Sequence, residues 1–104
     1  MSTRTLSRQS FNTRLTSVAS ATTNTKLFGA DPTRTGGSVL NSSSAILTIV
    51  CSDDDTTAPA ALTAGMKTVD IAAGGYFEVP GDWCGAVWGK WASANGSAYL
   101  TEYR

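Results

Sequence analysis

Residues 85–103 read GAVWGKWASANGSAYLTEY. Asn95-Gly96 lies between two alternating runs, and Asn-Gly in that setting is the strongest short-range hairpin signal in the chain. In the first run Trp88 and Trp91 differ by three positions, so a regular strand sends them to opposite faces. The stretch therefore reads as two antiparallel strands with large aromatic side chains on both sides.

The same period of two continues upstream. In YFEVP (76–80), Tyr76 and Glu78 share one face and Phe77 and Val79 the other. MKTVDIAAGG (66–75) holds a strand with Val69 and Ile71 opposite Asp70. In AILTIVCS (45–52), Ala45, Leu47, Ile49 and Cys51 face one way, and Ile46, Thr48, Val50 and Ser52 the other. Both faces are largely apolar and β-branched, which suits a central strand covered on both sides. SVLN (38–41) is a further short strand, and Asn41 to Ser44 read as a polar turn or bulge. About five or six short strands with no helical pattern between them predict an all-β fold, a small antiparallel β-sandwich or barrel.

Before residue 36 the pattern changes. GADPTRTGGS (29–38) is turn chemistry, with Asp31-Pro32 and Gly36-Gly37 as breakers. The expected division is a basic, Ser/Thr-rich N-terminal arm over residues 1–35, extended or disordered, and a β domain over residues 36–104. Residues 1–26 contain twelve Ser or Thr and few large apolar side chains. Phe11, Leu15 and Val18 have helical spacing in a segment of weak helix formers. The segment reads either as a disordered tail or as an arm ordered by a partner, with apolar anchors and arginine hooks.

Charge divides along the same line. Residues 1–35 carry Arg4, Arg8, Arg14, Lys26 and Arg34 against Asp31 alone, while residues 36–104 carry three cations against seven carboxylates. The formal total is zero, so neither nucleic acid nor an anionic membrane is an expected partner. The first thirty residues hold no apolar run of signal-peptide length, which leads us to expect a cytoplasmic origin.

No cofactor and no metal are expected. The chain has no histidine, which removes the commonest general base and a common zinc ligand. Phosphate-loop and nucleophile-elbow patterns are absent from the sequence. Asp53-Asp54-Asp55 lacks the alternating ligand spacing of a calcium loop and reads as a solvated turn. Cys51 and Cys84 read as small apolar thiols, with a disulfide between neighbouring strands as the alternative. The chain is not expected to be an enzyme.

Seven of the nine aromatic residues fall in residues 72–104. A body beginning at residue 36 is small for that much aromatic surface, so some of it is expected to pack against another chain. The candidates for an oligomer interface are Tyr76, Trp83, Trp88, Trp91, Tyr99 and Tyr103. A flat sugar-stacking platform of tryptophans is disfavoured by the opposite faces of Trp88 and Trp91.

Three segments, NSSSAILTIV (41–50), VDIAAGGYFEVP (69–80) and GAVWGKWASANGSAYLTEY (85–103), together resemble a type of small virion protein of tailed bacteriophages. The shared elements are an Asn/Ser-rich turn opening an aliphatic strand, then Gly74 to Pro80, Gly85 to Trp91, Ala94 to Ala98 and Thr101 to Tyr103. The resemblance implies a structural subunit rather than a catalyst. Its implied role is capsid decoration (cement): a subunit, expected as a homotrimer, that sits on the head surface and clamps neighbouring major capsid proteins. The N-terminal arm would then make the capsid contact through Arg4, Arg8, Phe11, Arg14, Leu15 and Val18. The alternative is a head-fibre or tail-associated subunit that binds a receptor or carbohydrate.

Overall fold

The computed structural model describes residues 12–59 and 67–104. Its strands are β1 (Thr13–Ala19), β2 (Thr25–Phe28), β3 (Gly36–Ser42), β4 (Leu47–Ser52), β5 (Val69–Ile71), β6 (Tyr76–Val79), β7 (Ala86–Trp91) and β8 (Ser97–Tyr103). They pair antiparallel in two four-stranded sheets, β1-β8-β3-β6 (sheet A) and β2-β7-β4-β5 (sheet B). Every connection except β4 to β5 passes from one sheet to the other. This order is that of a jelly roll, so the all-β sandwich expected from alternation is what forms.

The strand faces follow the alternation. Leu47, Ile49 and Cys51 of β4, Val69 and Ile71 of β5, and Phe77 and Val79 of β6 all point into the space between the sheets. There they meet Val39, Val87, Trp91, Ala98 and Leu100. Trp91 is only 1% exposed and is the largest of the fully buried side chains.

Among the described residues, three polar side chains are buried at this core, Asn41 at one end and Arg34 with Glu102 at the other. Asn41, read from sequence as part of a turn, lies in β3 with no exposed surface. Its amide nitrogen donates to the carbonyls of Ala45 (2.8 Å), Ile71 (3.0 Å) and Ala72 (3.2 Å), and its Oδ1 accepts from Trp91 Nε1 at 3.1 Å. The two N–H groups of one amide thus serve three backbone carbonyls, one of them by sharing, and its oxygen serves the buried indole. At the other end Arg34, 1% exposed, donates to the carbonyls of Gly29 (2.9 Å), Trp83 (3.2 Å) and Gly85, and to Glu102 Oε2 at 3.1 Å. Its guanidinium also lies 5.5 Å from the centroid of the Phe28 ring. A buried charge is tolerable only when paired and hydrogen-bonded in this way.

The division at residue 36 is corrected by the strand pairing. β1 joins β8 along its whole length, Thr13 opposite Tyr103 to Ala19 opposite Ser97, and β2 joins β7. Residues 13–19 and 25–28 are therefore parts of the two sheets, not of a separate arm. β1 is an edge strand whose residues are exposed apart from the half-buried Val18. Such a strand needs almost no apolar side chains, and that is why its sequence passes for a tail. The helical spacing of Leu15 and Val18 gives way to this strand; Phe11 lies outside the described residues.

The Asn95-Gly96 hairpin is a second correction. β7 and β8 belong to different sheets, and the turn between them is a crossing. A type I′ turn needs positive φ at both central residues, yet among the described residues only Gly74 has positive φ. Asn95 instead bonds outward, to Ser44 Oγ (2.6 Å) and Ser93 Oγ (3.0 Å), while Gly96 N donates to Ser20 Oγ at 2.8 Å. A Cβ on Gly96 would lie 2.7 Å from Ser43 Cα, so glycine is required there for close approach.

Candidate docking face

The two sheets differ on their outer sides. On sheet B the outer residues include Lys26 and Trp88, which are register partners, and Val50, which pairs with Trp88. Residues 53–58 fold back over them. Trp88 Nε1 donates to the Asp54 carbonyl at 3.0 Å, and Ala58 packs with Val50, Ala86 and Trp88. Lys26 Nζ donates to the Asp55 carbonyl at 2.8 Å. Trp88 is 7% exposed as a result.

The aspartates hold this flap. Asp54 Oδ1 accepts from the backbone nitrogens of Thr56 and Thr57, both at 2.9 Å, and these bonds hold its carboxyl below the usual carboxylate range. Asp55 Oδ1 accepts from Ala30 N at 2.8 Å, which lowers its carboxyl likewise, with Lys26 adding to the effect. Within the triplet read as a solvated turn, Asp53 and Asp54 are exposed, and Asp55 alone clasps the flap to the end of β2. Among the described residues no group of three or more His, Cys, Asp or Glu is placed to hold a metal ion.

Sheet A has no such cover among the described residues. Its register aligns Ser17, Tyr99, Leu40 and Tyr76 in one row across all four strands. The next row is Leu15, Thr101, Ser38 and Glu78, and the third is Thr13, Tyr103 and Gly36. Tyr103 lies against Gly36, where a Cβ would be 3.7 Å from its ring. Exposure is 76% for Leu15, 64% for Tyr76, 52% for Tyr99, 42% for Leu40 and 40% for Tyr103. Of the large exposed hydrophobic residues described, only Ile46 lies off this face. Glu78 is the one charged residue in the three rows.

The candidates from sequence now separate. Tyr76, Tyr99 and Tyr103 stand together on this face, as does Leu15. Trp91 and Trp88 are buried within the chain and cannot present their rings to a neighbour. Trp83 is half-buried against the core, its Nε1 donating to the Ala86 carbonyl at 3.1 Å. The expected surplus of aromatic surface shrinks because residues 13–28 supply two strands that a body starting at residue 36 lacks. Val18 points inward against the core, and Arg14 Nη2 pairs with Glu102 Oε1 at 3.3 Å. Arg4, Arg8 and Phe11 lie outside the described residues. Leu40 is not marked out by the sequence. It joins the face because β3 sits between β8 and β6, and nothing in SVLN announces those neighbours.

The charge split also closes internally. Arg14 and Arg34 both reach Glu102, and Lys26 reaches Asp55 at 3.4 Å. Asp31, the one carboxylate of the first 35 residues, pairs with Arg104 Nε at 3.0 Å. Bonds from Thr33 are the main cause holding the Asp31 carboxyl below its usual range. Three of the five early cations therefore serve the fold. Cys51 and Cys84 are free and half-buried, and burial pushes the Cys51 thiol up.

No family model matches the chain, and no curated protein or solved structure matches it.

Proposed function

We propose that the chain is a structural subunit of a tailed-phage particle, of the capsid-decoration kind, that seats the outer face of sheet A on neighbouring proteins of the head. The observation that carries this is the collection of Leu15, Leu40, Tyr76, Tyr99 and Tyr103 on one face, while the opposite outer face is closed by the chain's own flap. Tyrosines and leucines ringed by Ser and Thr hydroxyls are the composition of a protein contact: large apolar area at low entropic cost with a polar rim. Contiguous apolar patches of this kind mark interaction sites. The face is continuous with β1, and residues 1–11, with Arg4, Arg8 and Phe11, precede that strand. In this proposal they supply the clamp on the major capsid protein. A jelly roll suits the role without assigning it, since capsid and lectin domains both use it.

The test is the protein's copy number on purified particles, followed by rebinding of the purified chain to particles stripped of it. Stoichiometric occupancy that is lost in Leu40→Asp and Tyr99→Asp supports the proposal. Absence from particles, or rebinding unchanged by both substitutions, contradicts it.

A receptor- or carbohydrate-binding role has one observation in its favour. Tyr99 and Tyr76 lie two strands apart in one row, about 10 Å, with hydroxyls and the Glu78 carboxylate beside them. That spacing lets two sugar rings stack while their hydroxyls are bonded. Glycan binding lost in Tyr76→Ala and Tyr99→Ala, with particle occupancy unchanged, would favour it.

A further inference from the structure

The four sheet edges are not alike. β5 has three residues and an ion pair between Lys67 and Asp70 at 2.8 Å beside it. β6 has four residues and runs into Pro80. β2 has four residues, carries Lys26 and is broken by a register shift between Lys26 and Phe28. Short length, proline, lysine and bulges are the devices that stop edges from pairing. β1 has none of them: it is seven residues long, regular in register and free of proline and lysine. Its single charge, Arg14, faces inward, which is a further device of this kind. It is already paired with Glu102 at 3.3 Å, however, and lies near the strand's end with its side chain 60% exposed, so the rest of the edge stays open.

The backbone of β1 has a definite open side. Asn12 and Arg104 exchange both hydrogen bonds, at 3.2 and 2.9 Å, and Ser20 N donates to the Gly96 carbonyl at 2.9 Å. Antiparallel bonding alternates, so Arg14, Thr16 and Val18 bond to β8. Thr13, Leu15, Ser17 and Ala19 direct their N–H and C=O groups away from it. No described residue pairs with that side.

From this edge we infer that two copies of the chain join β1 to β1 antiparallel about a two-fold axis at Thr16, making one continuous eight-stranded sheet. The open residues are the odd-numbered ones, so the register must set odd opposite odd. Centring on Thr16 does this with the longest overlap: Thr13 faces Ala19 of the partner subunit, and Leu15 faces Ser17 of the partner subunit. About eight backbone hydrogen bonds form. Arg14 falls opposite Val18 of the partner subunit, so no like charges meet. Leu15, the most exposed of the described large hydrophobic residues, comes diagonal to Leu15 of the partner subunit, within reach of a long side chain. The two-fold is perpendicular to the sheet, so both tyrosine rows lie on the same side of the pair. This goes beyond the head-surface proposal and does not depend on it. It also replaces the homotrimer implied by resemblance with a pair.

Sedimentation of the full chain over a concentration series, with two variants, tests the inference. The pair predicts a monomer–dimer equilibrium. Thr16→Cys places the new thiol opposite its own copy across a non-hydrogen-bonded pair, about 4.5 Å between Cα atoms, where a disulfide can close. Mild oxidation should then give a covalent dimer that wild type, with its two half-buried thiols, does not give. Ser17→Pro removes a donor from the open side only, so circular dichroism should be unchanged while self-association weakens by about tenfold or more. A monomer at all concentrations, a trimer, or a dimer that forms only once residues 1–11 are deleted would overturn the inference. A dimer insensitive to Ser17→Pro, or one that Thr16→Cys fails to lock, would overturn it too.

Discussion

The outer face of sheet B and the outer face of sheet A are made by the same fold, yet only one is finished. On sheet B the largest outward side chain, Trp88, is capped by residues 53–58 and hydrogen-bonded to them. On sheet A the outward tyrosines and leucines have no equivalent flap among the described residues. The difference shows that aromatic content by itself does not mark a contact surface. The bulkiest aromatic residues, the tryptophans, serve the fold, and the smaller tyrosines are the ones left exposed.

Both faces depend on the pin between the sheets, so Arg34→Met should cost most. It leaves the buried Glu102 without its closest cation and three carbonyls without a donor, about 3 kcal/mol or more by denaturant unfolding. Trp88→Ala should cost a comparable or slightly smaller amount, about 3 kcal/mol, with particle binding retained in whatever fraction stays folded. Tyr76→Ser and Tyr99→Ser should move stability by less than about 1 kcal/mol each while abolishing docking. A Tyr99→Ser that unfolds the chain, or a Trp88→Ala that is neutral, would erase the distinction between the faces.

Acid sharpens the same contrast. The Asp54 and Asp55 carboxyls lie below their ordinary value in the folded chain. Their contribution is therefore fully present above that ordinary value and is lost as pH falls through the lower folded one. Fluorescence of Trp88 should be level from neutral pH to about 4 and change only below it, as the flap loosens. In Asp54→Asn with Asp55→Asn the flap should already be looser at neutral pH. The face of sheet A carries a single carboxylate, Glu78, in its three rows and has no such acid-sensitive cover among the described residues.

Much of the fold is legible in the sequence where strands are buried on at least one side. The alternation in residues 45–52, 69–71 and 76–79 places the inward side chains correctly, and the parity of Trp88 and Trp91 sets them on opposite faces. What is not legible is partnership. Alternation is a local property, whereas sheet membership depends on strands far apart in sequence. Asn95-Gly96 therefore reads as a hairpin although its two flanking strands lie in different sheets. β1 escapes notice because an edge strand exposed on both faces has no hydrophobic period to display. Asn41 and Arg34 look like ordinary turn and arm residues until the carbonyls they bond are brought around them. Tyr76, Tyr99 and Tyr103 stand out by size alone, but Leu40 and Leu15 join them only through cross-strand register.

The most direct measurement is hydroxyl-radical footprinting of the chain, free and on the particle. Tyr76, Tyr99 and Tyr103 should react readily in the free protein and become protected on binding, while Trp88 and Trp91 stay protected in both states. Equal reactivity of the three tyrosines in both states, or Trp88 labelled as fast as Tyr99 in the free chain, would contradict it.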